Sequence, residues 1–160
     1  MKLPILFILL CSISLLIAQS RIISYQDLNV EKTEEGTPVH YYNGHPFTGT
    51  THDFYEQENI SLEHHLKNGL LTLKEGFRNG VKIEYVEFKE GELDGTFLNF
   101  FDNGQKYVEH HYRQGAMHGM QYGWNKDGTL RFVSEYEDGL QQSHINYPPP
   151  GGFNSRIKNR

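Results

Sequence analysis

Three features of the sequence predict an all-β fold, an elongated antiparallel β-meander of tandem hairpin repeats preceded by a cleavable signal peptide. Glycines recur at a fixed period, aromatic residues keep phase with them, and the segments between are rich in β-branched and aromatic side chains without sustained helical periodicity. From Gly91 onward the glycines are Gly91, Gly95, Gly104, Gly115, Gly119, Gly128 and Gly139, so the steps 4, 9 and 11 occur twice and the period is 24 residues. Phe88, Tyr112 and Tyr136 each stand three residues before a glycine, and Phe100 and Trp124 each stand five after one. Two residue types holding one phase mark an internal repeat.

The chain opens with residues 1–20, where Lys2 is followed by an apolar run that ends at Ala18-Gln19-Ser20. One early positive charge, about 15 apolar residues and a small-residue ending describe a secretory signal peptide, since a bilayer span needs about 20. Cleavage after Ala18 and after Ser20 fit equally, and a retained anchor helix is the alternative. Cys11, the only cysteine, follows Leu10 where lipidation wants a small residue, so a lipoprotein is not expected. The mature chain then has no thiol chemistry and no disulfide. Loss of Lys2 takes the net charge from −5 to about −6, and an acidic chain lacks the basic surface that nucleic acid requires. The expected location is outside the cytoplasm: periplasmic, associated with the outer envelope, or secreted.

Residues 21–40 are poor in glycine, and Ile22-Ile23-Ser24-Tyr25 with Leu28-Asn29-Val30 are read as a capping segment that protects the edge of the first hairpin. The repeat array itself spans residues 41–143. Upstream of Gly91 the step of 11 continues through Gly69 and Gly80, with one half-unit shortened by two residues. Asn79-Gly80, Asp102-Asn103-Gly104 and Asp127-Gly128 punctuate strand-like runs, and such pairs tolerate the positive φ of tight turns. About nine to eleven strands are expected, some 40 to 50 Å in all at about 4.8 Å per strand.

Alternation assigns faces. Val86, Phe88, Val108, His110, Tyr112, Phe132, Ser134 and Tyr136 share one parity in the second strands; Phe54, Phe100 and Trp124 form an equivalent column in the first strands. Together they predict an aromatic face, with a more polar face holding Phe97, Phe101 and Tyr107. The phase switch within Val81–Phe88 calls for a β-bulge or burial of both faces. Residues 144–160, with Pro148-Pro149-Pro150-Gly151-Gly152 and then Arg156, Lys158 and Arg160, read as a Pro/Gly-rich, disordered basic tail.

The pattern Tyr-x-x-Gly-x-x-x-Gly-x-x-x-x-(Phe/Trp), carried by Tyr112, Gly115, Gly119 and Trp124 and by Phe88, Gly91, Gly95 and Phe100, resembles the MORN repeat. Its alternation with Asn-Gly and Asp-Gly turns is more similar to the bacterial MORN-repeat-variant family, in which the segment Asn43-Gly44-His45-Pro46-Phe47-Thr48-Gly49 is a familiar opening. The resemblance covers about two thirds of the chain. It implies a hairpin array without shared catalytic residues; some members of that family are described as antitoxin-like, and MORN proteins at large act at membranes or as scaffolds.

Candidate chemistry is sparse. Neighbouring histidines in His64-His65 and His110-His111 point to opposite faces of a strand and cannot chelate one ion together. His40, His45, His52 and Asp53 surround one hairpin but match no zinc signature, so no metal or cofactor is expected. Glu63, Glu75, Glu84 and Glu87 could pair for glycoside cleavage, though their strand spacing suits solvated faces. No Gly-x-Ser-x-Gly elbow and no phosphate loop leading into a helix is present. Asn59-Ile60-Ser61 fits a glycosylation acceptor.

The expected function is therefore that of a non-catalytic scaffold that binds a protein or an envelope polymer through an aromatic-rich face, with peripheral membrane association allowed. Tyr107, Tyr122, Trp124 and Phe100 are the binding residues proposed by composition, because Tyr and Trp give large contact area at small entropic loss. A neutralising inhibitor of one partner is the second reading and a carbohydrate-active enzyme the third.

Overall fold

The computed structural model describes residues 22–148; the expected signal peptide lies outside the described residues, as does the expected tail from residue 149, whereas residues 144–146, expected in that tail, complete a strand that begins at Leu140. The fold is all-β. A short 3-10 helix, Tyr25–Asp27, opens it, capped by Ser24, whose side chain accepts from the Gln26 N–H while Asp27 reaches back to the Ser24 N–H. Three strands, β1 (Asn29–Lys32), β2 (Pro38–Tyr42) and β3 (His45–Pro46), form a small sheet in that order.

The main sheet is an antiparallel meander. Its strands are β4 (Gly49–Tyr55), β5 (Ile60–Lys67), β6 (Leu70–Arg78), β7 (Val81–Lys89), β8 (Glu92–Phe100), β9 (Lys106–Arg113), β11 (Gly119–Trp124), β12 (Leu130–Glu137) and β13 (Leu140–Asn146), each beside its sequence neighbour. The two-residue β10 (Ala116–Met117) pairs with β9. Nine strands lie on the path, within the expected number, but the first hairpin departs from it: β2 pairs with β1 and β3 in the small sheet and not with β4.

Turn chemistry sets the hairpins. Asn79 and Gly80 both sit at positive φ, 52° and 75°, so β6 and β7 are joined by a two-residue turn whose twist matches the strands. The corresponding connections farther along, Phe101–Gln105 and Asn125–Thr129, are five residues long, closed by bonds from Gly104 N–H to Phe101 O and from Gly128 N–H to Asn125 O. The shortened half-unit therefore loses its residues from the turn: β6 and β8 are both nine residues long. At the opposite end of the strands, the Gly115 N–H donates to Leu93 O and the Gly139 N–H to Met117 O, so each turn is tied to the hairpin before it.

Cross-strand partners point to the same side, and the register defines two rows that cross the whole sheet. One runs Thr51, His64, Lys74, Val86, Phe97, His110, then Gln121, Ser134 and His144. This is the buried face, for it holds Thr51, His64, Val86, Gln121 and Ser134. The other runs His52, Glu63, Glu75, Tyr85, Leu98, Glu109, Tyr122, Val133 and Ile145. It contains no buried residue and is the open face.

The register corrects the sequence reading of the faces. Phe97 pairs with His110 and lies on the buried face, whereas Phe54 (through Ser61) and Phe100 and Trp124 (through Lys106 and Leu130) lie on the open one. The expected single aromatic face is thus two. The cause is a register shift beside each of three turns: Gly76 opposes Glu84 but Phe77 opposes Lys82, Asn99 opposes Val108 but Phe100 opposes Lys106, and Gly123 opposes Phe132 but Trp124 opposes Leu130. Ile83, Tyr107 and Arg131 are the extra residues, each three past a turn glycine, and each breaks simple alternation. The same shift accounts for the phase switch within β7.

Candidate functional site

The buried face carries polar groups that bond to one another between its apolar residues. Three histidines recur in one setting, each against an aromatic ring and a polar neighbour on the next strand. His64 stacks on Tyr25 with centroids 4.1 Å apart and lies 3.4 Å from Thr51 Oγ1. His110 stacks on Phe97 at 5.9 Å and meets Gln121 Oε1 at 3.1 Å; His144 lies 5.8 Å from the Phe132 ring and 2.6 Å from Ser134 Oγ. Gln121, 1% exposed, also accepts from the His111 N–H and donates to His111 O, so a fully buried amide spends both ends on its neighbours.

Burial pushes the His64 and His110 imidazoles below their usual range; Asp53, 3.7 Å from His64, and Gln121 oppose the shift without cancelling it. Asp53 is already committed elsewhere, accepting from Ser24 Oγ and the Tyr25 N–H. His40 Nδ1 is 2.9 Å from Gly69 O. A carbonyl only accepts, so Nδ1 carries a proton toward it, and Nε2 is hydrogen-bonded to the Tyr25 hydroxyl. This Tyr–His–His–Asp group resembles acid–base machinery, but His40 is 3% and Thr51 0% exposed, and its hydrogen bonds lock the N-terminal segment onto β4.

The open face presents its side chains to solvent. Its C-terminal half brings Tyr122 and Trp124 into a stack, centroids 5.8 Å apart at 23°. Lys106 Nζ lies 5.7 Å from the Trp124 centroid while bonding Glu109 at 2.5 Å, and Phe100 pairs with Lys106. Three of the four residues singled out in sequence therefore share this face. Tyr107 does not: as the extra residue of a bulge it turns to the buried side, edge-on to Phe101 at 5.0 Å and 4.9 Å below the Arg131 guanidinium. Beyond Tyr122 the row continues through Val133 to Ile145, 54% exposed.

The other expected groupings come apart in the fold. His52 lies on the open face, Asp53 on the buried one, and His45 in the separate small sheet. Of the four carboxylates, Glu63 and Glu75 are directly opposed on the open face. Glu84 shares the buried side with Lys74, 2.6 Å away. Glu87 accepts from the Tyr85 hydroxyl at 2.8 Å and the Thr96 N–H at 2.7 Å; burial favours its neutral form, but these bonds together hold the carboxyl below its usual range. A shallow cavity of about 350 Å³ lies between Tyr55, Ile60, Leu62 and Ile83. Compared with known proteins, the chain matches no family model and no curated relative.

Proposed function

We propose that the protein is an exported, non-catalytic scaffold of the MORN-repeat-variant kind that holds a protein or envelope polymer on the open face of its sheet. One observation carries the reading. The Tyr122–Trp124 stack, flanked by Lys106 and followed by Val133 and Ile145, forms an apolar platform with polar groups at its margin, the composition that binding surfaces favour. The 24-residue sequence period and the leader-like residues 1–20 support the family and export parts of the reading. The inhibitor alternative draws on a different feature, the outer edge of β13, which no described strand occupies and to which an extended segment of a partner could add.

The test uses the register. The chain without residues 1–20 is immobilised and challenged with envelope extract, in native form, as Tyr122→Ala and as Tyr107→Ala. Retention lost in the first variant and kept in the second, with both still folded, assigns binding to the open face. Equal retention by all three sinks the proposal for that face, and capture blocked only by alteration of β13 supports strand addition.

A further inference from the structure

At the N-terminal half of the open face, β5 and β6 place Glu63 directly opposite Glu75. Like charges so placed repel and destabilise a sheet. His65, two residues along β5 from Glu63, projects from the same face. One donor atom from each of the three residues lies within 4.8 Å of the other two. We propose that Glu63, His65 and Glu75 form a binding site for a divalent transition-metal ion of the zinc type, a reading that does not depend on the scaffold function.

Geometry supports it. His65 Nε2 is 3.8 Å from Glu63 Oε2 and 3.4 Å from Glu75 Oε2; it is shielded from solvent and makes no hydrogen bond. Donors bound at about 2.0–2.1 Å to a tetrahedral zinc ion stand roughly 3.3–3.4 Å apart. The imidazole nitrogen already stands within a few tenths of an ångström of that spacing from each carboxylate, and the donor atoms of the two carboxylates lie within 4.8 Å of each other. On its other side the imidazole is held by Thr50, whose Oγ1 is 3.0 Å from Nδ1. With the hydroxyl accepting from Nδ1–H, Nε2 keeps its lone pair aimed at the two carboxylates, the supporting arrangement usual behind metal-bound histidine.

Each carboxylate's other oxygen faces a neighbouring basic side chain. Lys82 Nζ lies 2.5 Å from Glu75 Oε1, and His52 Nδ1 lies 3.4 Å from Glu63 Oε1. One oxygen of each carboxylate faces His65 Nε2, which with the imidazole nitrogen gives a mixed donor set. Such a set suits zinc and its neighbours better than calcium or magnesium, which prefer oxygen alone. Three protein ligands leave a fourth position facing solvent, open to water or to a group on a bound partner.

The full chain, stripped with chelator, is titrated with Zn²⁺ by calorimetry and with Co²⁺ by visible absorption. One equivalent bound, with the cobalt spectrum of a four-coordinate ion, is the expected result. Glu75→Gln and His65→Gln should each weaken binding at least tenfold, Thr50→Val by about 10- to 100-fold, and His45→Gln, in the separate sheet, not at all. Circular dichroism checks that each variant is folded, and Glu75→Gln carries the test if His65→Gln is not. Absence of binding, or zinc binding unchanged by the folded variants, overturns the proposal and leaves only adventitious surface histidines.

Discussion

The two outer edges of the main sheet are made of the same kind of strand and end differently. At β4 the chain folds back on itself. The His52 N–H donates to Ile23 O, Asp53 accepts from Ser24 and Tyr25, and Tyr25 lies on His64. Thr51, Asp53 and Leu28 are buried there. At β13 every residue is exposed, Leu140 by 70%, and among the described residues no strand pairs with its outer side. Backbone pairing alone does not finish a meander: one edge is closed by a buried polar knot, the other left as an unpaired row of donors and acceptors. The lesson is energetic. Opening should begin at β13, and the stable end is the one that is held by side chains as well as by strand pairing.

The comparison breaks most directly at Asp53. Asp53→Ala removes a buried charged acceptor shared by a hydroxyl and an amide, and should cost about 3 kcal/mol at roughly 1.5 kcal/mol or more per charge-assisted bond. Urea denaturation measures it, and hydrogen exchange should show β4 opening as readily as β13. Should β4 stay protected, the knot is not what secures that edge. Gly123→Ala probes the other half. A Cβ there would lie 2.2 Å from Phe132 Cε1, so ring or backbone must move, at about 1–3 kcal/mol. Its effect on exchange should appear in β11 to β13 and leave β4 unchanged.

Acid sharpens the comparison along the buried face. His64 and His110 have folded-state pKa values below the unfolded value, so the unfolded chain binds protons first and stability falls as pH drops below about 6.5. Thermal midpoints between pH 8 and 5 should decline in the native chain and decline less in His110→Gln. A profile that is flat through this range would mean that both imidazoles find water on protonation. The smallest effect is expected at the open edge. Ile145→Lys should change stability by less than about 0.5 kcal/mol, yet reduce any concentration-dependent association seen by sedimentation, since a charge on an edge strand discourages strand addition.

Much of the fold was legible because turn chemistry is local. Asn79-Gly80, with both φ values positive, announces its hairpin from two residues. The separation of neighbouring histidines was equally legible: His64 and His110 lie on the buried face, His65 on the open one. Parity failed where strands carry an extra residue. Tyr107 follows the glycine of its turn at the same distance as Ile83 and Arg131, and nothing in its identity says that the pairing skips it. The Glu63–His65–Glu75 cluster was illegible for a related reason: a Glu-x-His tripeptide is common, and its third member arrives only through the register of β6.

By itself, then, the sequence determined the all-β class, the places where the chain reverses and the alternation within each strand. These depend on φ preferences and side-chain direction over a few residues. Tertiary structure decided which alternating set faces which, how residues 22–28 close one edge, and which carboxylates and histidines meet. Those are sums over register shifts and long-range hydrogen bonds, and a single extra residue in a strand moves everything beyond it to the other side.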